Sequence, residues 1–303
     1  MMNIHLHNIN LTSNSGPNCF GRKLFDYLKS NGLTFDASQV ADLALVFIET
    51  GVKHITAPIV QRLDGIYFNS EQNYLAQNKQ ILDTYKRSSG VVFQSEFNKE
   101  LITKYFGEHK NSVVIHNGAD LNIIRSLPNI EASIFSKYKN VWCCASSWRP
   151  HKRLEDNIRY FLEHSGEEDV LLVAGNTSKK PIEDEKVKYL GNLDYISLLK
   201  VYKSCDYFIH LAWLDHCPNV VVDARACGCR IICSSAGGTK EVAGPDAIII
   251  KEEPWDYEPV ELYNPPPLNF QQVDKSLHNS NYDMECVGKK YLDFMKENTN
   301  ENQ

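Results

Sequence analysis

The 303-residue sequence is poor in the features that would commit it to a membrane, to nucleic acid or to a disulfide framework. No stretch reaches the roughly 18 consecutive apolar residues of a membrane span. The opening MMNIHLHNIN has no basic segment leading into an apolar one, so no signal peptide is expected and the cytoplasm is the expected location. Positive charge is in deficit, with 32 Lys and Arg against 38 Asp and Glu. That balance excludes the broad basic surface with which nucleic-acid binders neutralise phosphates. Cysteines number nine and lie mostly inside apolar runs such as VWCCA and RIICSS, as expected of reduced core thiols. Cys227, Cys229 and Cys233 form no paired C-x-x-C, so no metal site is assigned.

What is present is an ordinary globular composition, 43% hydrophobic and 11% aromatic, in a chain long enough for two hydrophobic cores. Short apolar runs alternate with helical patterns, the mark of parallel sheets covered on both faces. Strands are expected at Asn3–Ile9, Asp42–Ile48, Pro58–Leu63, Gly90–Gln94 and Ser112–His116, then at Asn140–Ala145, Asp169–Ala174, Val187–Leu190, Asp206–Leu211, Arg230–Ser234 and Ala247–Ile250. Phe20–Ser30, Glu96–Phe106 and Tyr282–Glu297 carry apolar residues at helical spacing. The expected division is a first domain over 1–121, a polar linker over 122–136, a second domain over 137–275 and a C-terminal helix and tail over 276–303. After Ile250 the run EEPWDYEPVELYNPPPLNF is too rich in proline for a long regular element.

The chemistry concentrates in LAWLDHCPNVVVDARACGCRIICSSAGGTKEV, residues 211–242. Asp215 stands just before a helix expected to open at Pro218, and Asp223 falls inside it after seven intervening residues. The free N–H groups of such a helix end suit phosphate or sugar oxygens. The next strand leads into a second turn, at Gly237 and Gly238, that opens another helix. Both turns follow strands at the carboxyl end, where open α/β sheets bind ligands. Taken singly, these residues also fit plainer roles. Asp215 and Asp223 fit a capping acid and a solvated helix face, Arg149 and Lys152 an exposed pair, and His210 and His216 core or loop histidines. The run GPNCFG lacks G-x-G-x-x-G spacing, so Gly16 and Gly21 also fit a simple turn.

In combination, Asp215, Asp223, ARACG, RIICS and GGTKE resemble the retaining glycosyltransferases of family 4, with aspartates where that family carries two glutamates. SSWRPHKRLED resembles the family's basic phosphate clamp, VIHNGAD the segment before its linker, and SGPNCFGRKL the place of its glycine loop. The resemblance implies an α/β fold of GT-B type, two Rossmann-like domains with parallel sheets facing across a deep cleft. It also implies roles for residues. Asp215 would contact the donor sugar, while Arg149 and Lys152 would stabilise the leaving diphosphate. Asp223 would meet the ribose, and His216, Cys217, Pro218, Asn219 and Val220 would surround the sugar and diphosphate with Gly237 and Gly238. Ala174, Gly175, Leu190 and Asn192 would lie near the base and ribose, and Gly16 would approach from the first domain. Asp64 occupies the place of a family cleft histidine.

The activity implied is transfer of a hexose from a nucleotide diphosphate sugar, UDP-glucose first, to a glycan or other hydroxyl acceptor with retention. No cofactor is obligatory, although Mg²⁺ or Mn²⁺ could accompany the diphosphate. Partners are the donor and acceptor, with no nucleic acid; the oligomeric state stays open. Two rivals also remain open: a nucleotide-sugar epimerase of the same fold and a noncatalytic sugar-nucleotide-binding protein.

Overall fold

The computed structural model describes residues 2–13, 15–51, 54–128, 135–177, 182–274, 276 and 278–299. The chain divides into two compact units. The first comprises Met1–Ala119, Tyr257–Val260 and Asn281–Gln303; the second comprises Asp120–Asp256 and Glu261–Ser280.

The first unit holds strands β1 (Asn3–His7), β2 (Thr34–Phe35), β3 (Leu43–Phe47), β4 (Ile59–Leu63), β5 (Gly90–Phe93) and β6 (Ser112–Val114) in one sheet of order β2-β1-β3-β4-β5-β6, all parallel. LALVF of β3 and GVVF of β5 are buried throughout, as continuous apolar strands should be. Around them lie helices α1 (Gly16–Ser30), α2 (Tyr74–Arg87) and α3 (Glu96–Phe106). Phe20, Leu24 and Leu28 of α1 recur every four residues and enter the core with Ile4, Leu45, Val60 and Val92.

Three expectations change here. The first strand stops at His7 because Asn8 turns into the left-handed region with φ of 57°. The glycine loop expected around Gly16 is instead the start of α1, with Pro17 in its first turn; Gly21 lies inside the helix against Ile9 and Phe47. The chain end is no separate tail, since Met284, Val287, Tyr291 and Met295 of helix α9 (Met284–Glu297) belong to this same core.

The second unit begins with α4 (Leu121–Ser126), capped by the Asp120 side chain on the Ile123 amide at 2.9 Å. The front of the expected linker is therefore helical, because Asp120 is a strong cap and Ile124 is buried; its residues 129–134 lie outside the described part. Strands β7 (Val141–Ala145), β8 (Val170–Ala174), β9 (Val187–Gly191), β10 (Tyr207–His210), β11 (Arg230–Ser234), β12 (Ile248–Ile250) and β13 (Val273–Asp274) form a sheet of order β13-β12-β11-β10-β7-β8-β9. Only β13 runs antiparallel to its neighbour among these pairings. Helices α5 (Leu154–His164), α6 (Tyr195–Tyr202), α7 (Asn219–Ala226) and α8 (Thr239–Ala243) alternate with the strands. Between Ile250 and Val273 the proline-rich chain forms no helix or strand beyond an isolated bridge at Val260. Val260, which belongs to the first unit, exchanges backbone bonds of 3.1 and 2.9 Å with Phe68 and Ser70 of that same unit.

Candidate active site

Strand order in the second sheet reverses between β7 and β10, and at such a switch point the loops leaving adjacent carboxyl ends part and open a crevice. The two loops concerned carry Arg149 to Arg153 after β7 and Leu211 to Pro218 after β10. After β7, Pro150–Lys152 makes one 3-10 turn, closed by the Lys152 amide on the Arg149 carbonyl at 2.9 Å. It ends at Arg153, whose φ of 52° and ψ of 51° are left-handed. After β10, Leu214 is also left-handed with φ of 55°. Each strained residue adjoins a member of one ion pair, and strain of this kind persists where surrounding structure enforces it.

That pair is Lys152 and Asp215, with Nζ 2.5 Å from Oδ2. The same oxygen lies 2.8 Å from His210 Nε2, while Oδ1 accepts the His216 amide at 3.1 Å. Burial alone would raise the Asp215 carboxyl; the Lys152 ammonium and then the His210 ring outweigh it and hold it well below the usual carboxylate range. Three imidazoles nearby resist protonation. Burial lowers His151 to about 3 and His216 to about 4, and it also lowers His210 against the opposing pull of Asp215.

A second set of contacts fixes the loops. Arg153 pairs with Glu252 at 2.7 Å, both side chains almost fully buried, and donates to the Leu211 carbonyl at 3.2 Å. Asn157 bridges as well, donating to the Lys152 carbonyl at 3.1 Å and accepting the Leu211 amide at 3.0 Å. The Gly238 amide donates to the Asp215 carbonyl at 2.7 Å. Gly237 (φ of 93°) lies so close that a Cβ would sit 2.6 Å from the Asp215 carbonyl oxygen, which is why glycine is needed there.

The remaining expected site residues fall as follows. Arg149 is exposed on the same loop. Pro218 is the cap of α7 rather than its first residue, and no side chain caps that end, where Asn219 and Val220 open the first turn. Cys217 is buried beside them, and Asp223 is buried in α7 at 4% exposure, which overturns its alternative as a solvated face. Ala174 and Gly175 end β8, where the Trp148 indole donates to the Ala174 carbonyl at 2.9 Å and the Gly175 amide to Gly191 at 2.8 Å. Leu190 lies at the end of β9, and Asn192 just beyond it accepts the Asn176 amide at 3.1 Å. In the first unit, Gly16 is exposed at the start of α1.

Asp64 follows β4 and pairs with Arg62, a guanidinium with no exposed surface. Arg62 also donates to Asn117 at 2.7 Å and Tyr291 at 3.1 Å, over the Phe20 ring. Burial raises the Asp64 carboxyl despite Arg62, and its Oδ2 is buried without a hydrogen-bond partner. Sequence reasoning missed Arg62, His151 as a buried base, and His210 as the partner of Asp215. Among the described residues no group of three His, Cys, Asp or Glu side chains is arranged to hold a metal, and no helix is long and apolar enough to cross a membrane.

Residues 128–257 match the family model described as glycosyl transferases group 1. That stretch contains Arg149, Lys152, His210, Asp215, Asp223 and Gly237. Solved structures of similar fold include the Anabaena protein HepE in complex with UDP and glucose, at 14% identity and TM-score 0.66 over 98% of this chain and 100% of that one. Sucrose-phosphate synthase from Thermosynechococcus elongatus aligns at 10% identity and TM-score 0.71 over 98% and 99%. A glycosyltransferase from Rickettsia africae aligns at 14% and 0.62 over 98% of each. With its two α/β sheets, the chain has the GT-B type of fold. No curated protein matches it in sequence.

Proposed function

We propose that the protein is a glycosyltransferase that takes a sugar from a nucleotide diphosphate donor to a hydroxyl acceptor. The observation carrying this reading is the Lys152–Asp215 pair at the switch point of a glycosyl transferases group 1 domain. Glycosyl transfer passes through an oxocarbenium-like state, so negative charge grows on the departing diphosphate. Lys152, the exposed Arg149 and the first-turn amides of α7 are donors to that charge, and fixed donors act without reorganising during the reaction. Asp215 accepts hydroxyls of the sugar, and Asp223 those of the ribose. His216, Cys217, Asn219, Val220, Gly237 and Gly238 line the sugar and diphosphate. Ala174, Gly175, Leu190 and Asn192 hold the nucleoside.

The transferred sugar is a hexose, UDP-glucose the first-choice donor, and the anomeric configuration is retained. In the first unit Asp64, with its unpartnered oxygen and raised affinity for a proton, is the acid offered to the acceptor, a glycan or another hydroxyl compound. Mg²⁺ or Mn²⁺ accompanies the diphosphate without being obligatory. Reduced thiols and a nucleotide-sugar donor favour the cytoplasm as the compartment. NMR of the protein incubated with UDP-, GDP- and ADP-sugars, with and without divalent metal, tests this reading. It predicts consumption of one donor with the product initially of the donor's own anomeric configuration. An inverted product removes retention, an epimerised donor replaces transfer by isomerisation, and binding of no donor removes the reading altogether.

A further inference from the structure

We propose that His210 is the positioning residue of this site, its Nε2–H fixing the Asp215 carboxylate so that Oδ1 is the oxygen presented to the donor sugar. This role rests on the donor-site reading above.

His210 ends β10 and is 3% exposed, with its ring nearly parallel to that of Phe208. Its Nε2 lies 2.8 Å from Asp215 Oδ2, the oxygen that Lys152 also reaches at 2.5 Å. An ionised carboxylate can only accept, so Nε2 carries the proton and the ring is the Nε2–H tautomer. Burial weakens the ring's hold on a second proton, which keeps it neutral at neutral pH. A neutral donor has a specific use here: it holds the carboxylate without setting a second cation against Lys152. Aspartate has only two side-chain torsions, and two bonds converging on one oxygen fix both. Oδ1, which accepts the His216 amide at 3.1 Å, keeps further acceptor capacity for a hydroxyl. Leu214, held left-handed, is what brings Asp215 back over the strand end five residues after His210.

The test compares His210→Leu and His210→Gln, each in the wild-type and Asp215→Asn backgrounds, by kcat and KM of nucleotide release from UDP-glucose, then GDP- and ADP-glucose. The expected result is that His210→Leu lowers kcat/KM roughly ten- to hundredfold, the size of a hydrogen bond to a charged group. His210→Gln, whose amide still donates, recovers most of the loss. In the Asp215→Asn background His210→Leu adds less than about threefold, as expected for residues acting as one unit. A glutamine variant no better than leucine, or a loss undiminished in the Asp215→Asn background, overturns the role. Should His210→Leu fail to fold, nitrogen-15 NMR of the wild-type ring decides: a proton on Nε2 supports the role and one on Nδ1 overturns it. Wild-type protein that consumes none of the donors removes the donor-site reading and this role together, whereas turnover that survives His210→Leu overturns the role alone.

Discussion

The Asp215 carbonyl accepts the Gly238 amide at 2.7 Å, so the loop leaving β10 and the turn leaving β11 are held as one piece. Gly237 makes that approach feasible through its φ of 93° and its missing Cβ. Gly237→Ala would place a methyl 2.6 Å from the Asp215 oxygen and 2.9 Å from its nitrogen, both backbone atoms that cannot swing away. The expected cost is about 1–3 kcal/mol of stability, read from urea unfolding, with loss of donor binding beyond the stability change. A variant with unchanged unfolding and binding would contradict the close approach.

Arg153 and Glu252 form an ion pair with side-chain exposures of 1% and 5%. Removing one partner of a buried pair leaves an uncompensated charge, at about 3–5 kcal/mol. Glu252→Ala is therefore expected to lower the urea midpoint strongly, whereas Arg153→Met with Glu252→Leu together costs less. Equal losses in the two proteins would show that the pair's charges are not what is being lost.

Two imidazoles beside Asp215 set an acid limit. His151 and His216 bind protons only near pH 3 and pH 4 when folded, against 6.5 ordinarily. Below about pH 6.5 the unfolded chain takes up protons that the folded chain does not, so stability declines as pH falls through that window. Asp215 acts lower: its carboxyl is depressed below 3.8, so its contribution is complete above that value and lost as pH falls through the depressed value. The melting temperature should drop between pH 6.5 and pH 4, and His151→Phe, which keeps a ring beside Tyr263, should drop less steeply. A melting temperature independent of pH across that window would contradict rings that stay neutral in the folded protein.

In the first unit, Arg62→Leu would strand the Asp64 carboxylate and remove donors from Asn117 and Tyr291. A destabilisation of about 3 kcal/mol or more is expected, with Arg62→Leu combined with Asp64→Asn less damaging. Chemical denaturation of the three proteins checks the order.

Much of the fold was readable because buried parallel strands announce themselves as apolar runs, as in VWCCA of β7 and RIICS of β11. The two-residue strands β2 and β13 carry no such run. Helix α2, YLAQNKQILDTYKR, was missed because its inward face offers polar Asn78 and Thr84 beside Ile81 and Tyr85. Asp215, Lys152 and the glycine turn were legible as motifs, yet their convergence depends on β7 and β10 being neighbours, which linear spacing does not encode. His210 gave no signal, since an Asp five residues away meets it only through the left-handed turn at Leu214. Asp64 was singled out while Arg62, two residues earlier, passed as one polar letter in IVQRL.

The most direct measurement is steady-state nucleotide release from UDP-, GDP- and ADP-sugars by the wild-type protein, Lys152→Ala and Asp215→Ala. Wild-type release from one donor, falling about a hundredfold or more in Lys152→Ala and comparably in Asp215→Ala while both variants stay folded, is the predicted result. Release that is unchanged in the folded variants, or absent from the wild type with every donor, would contradict it.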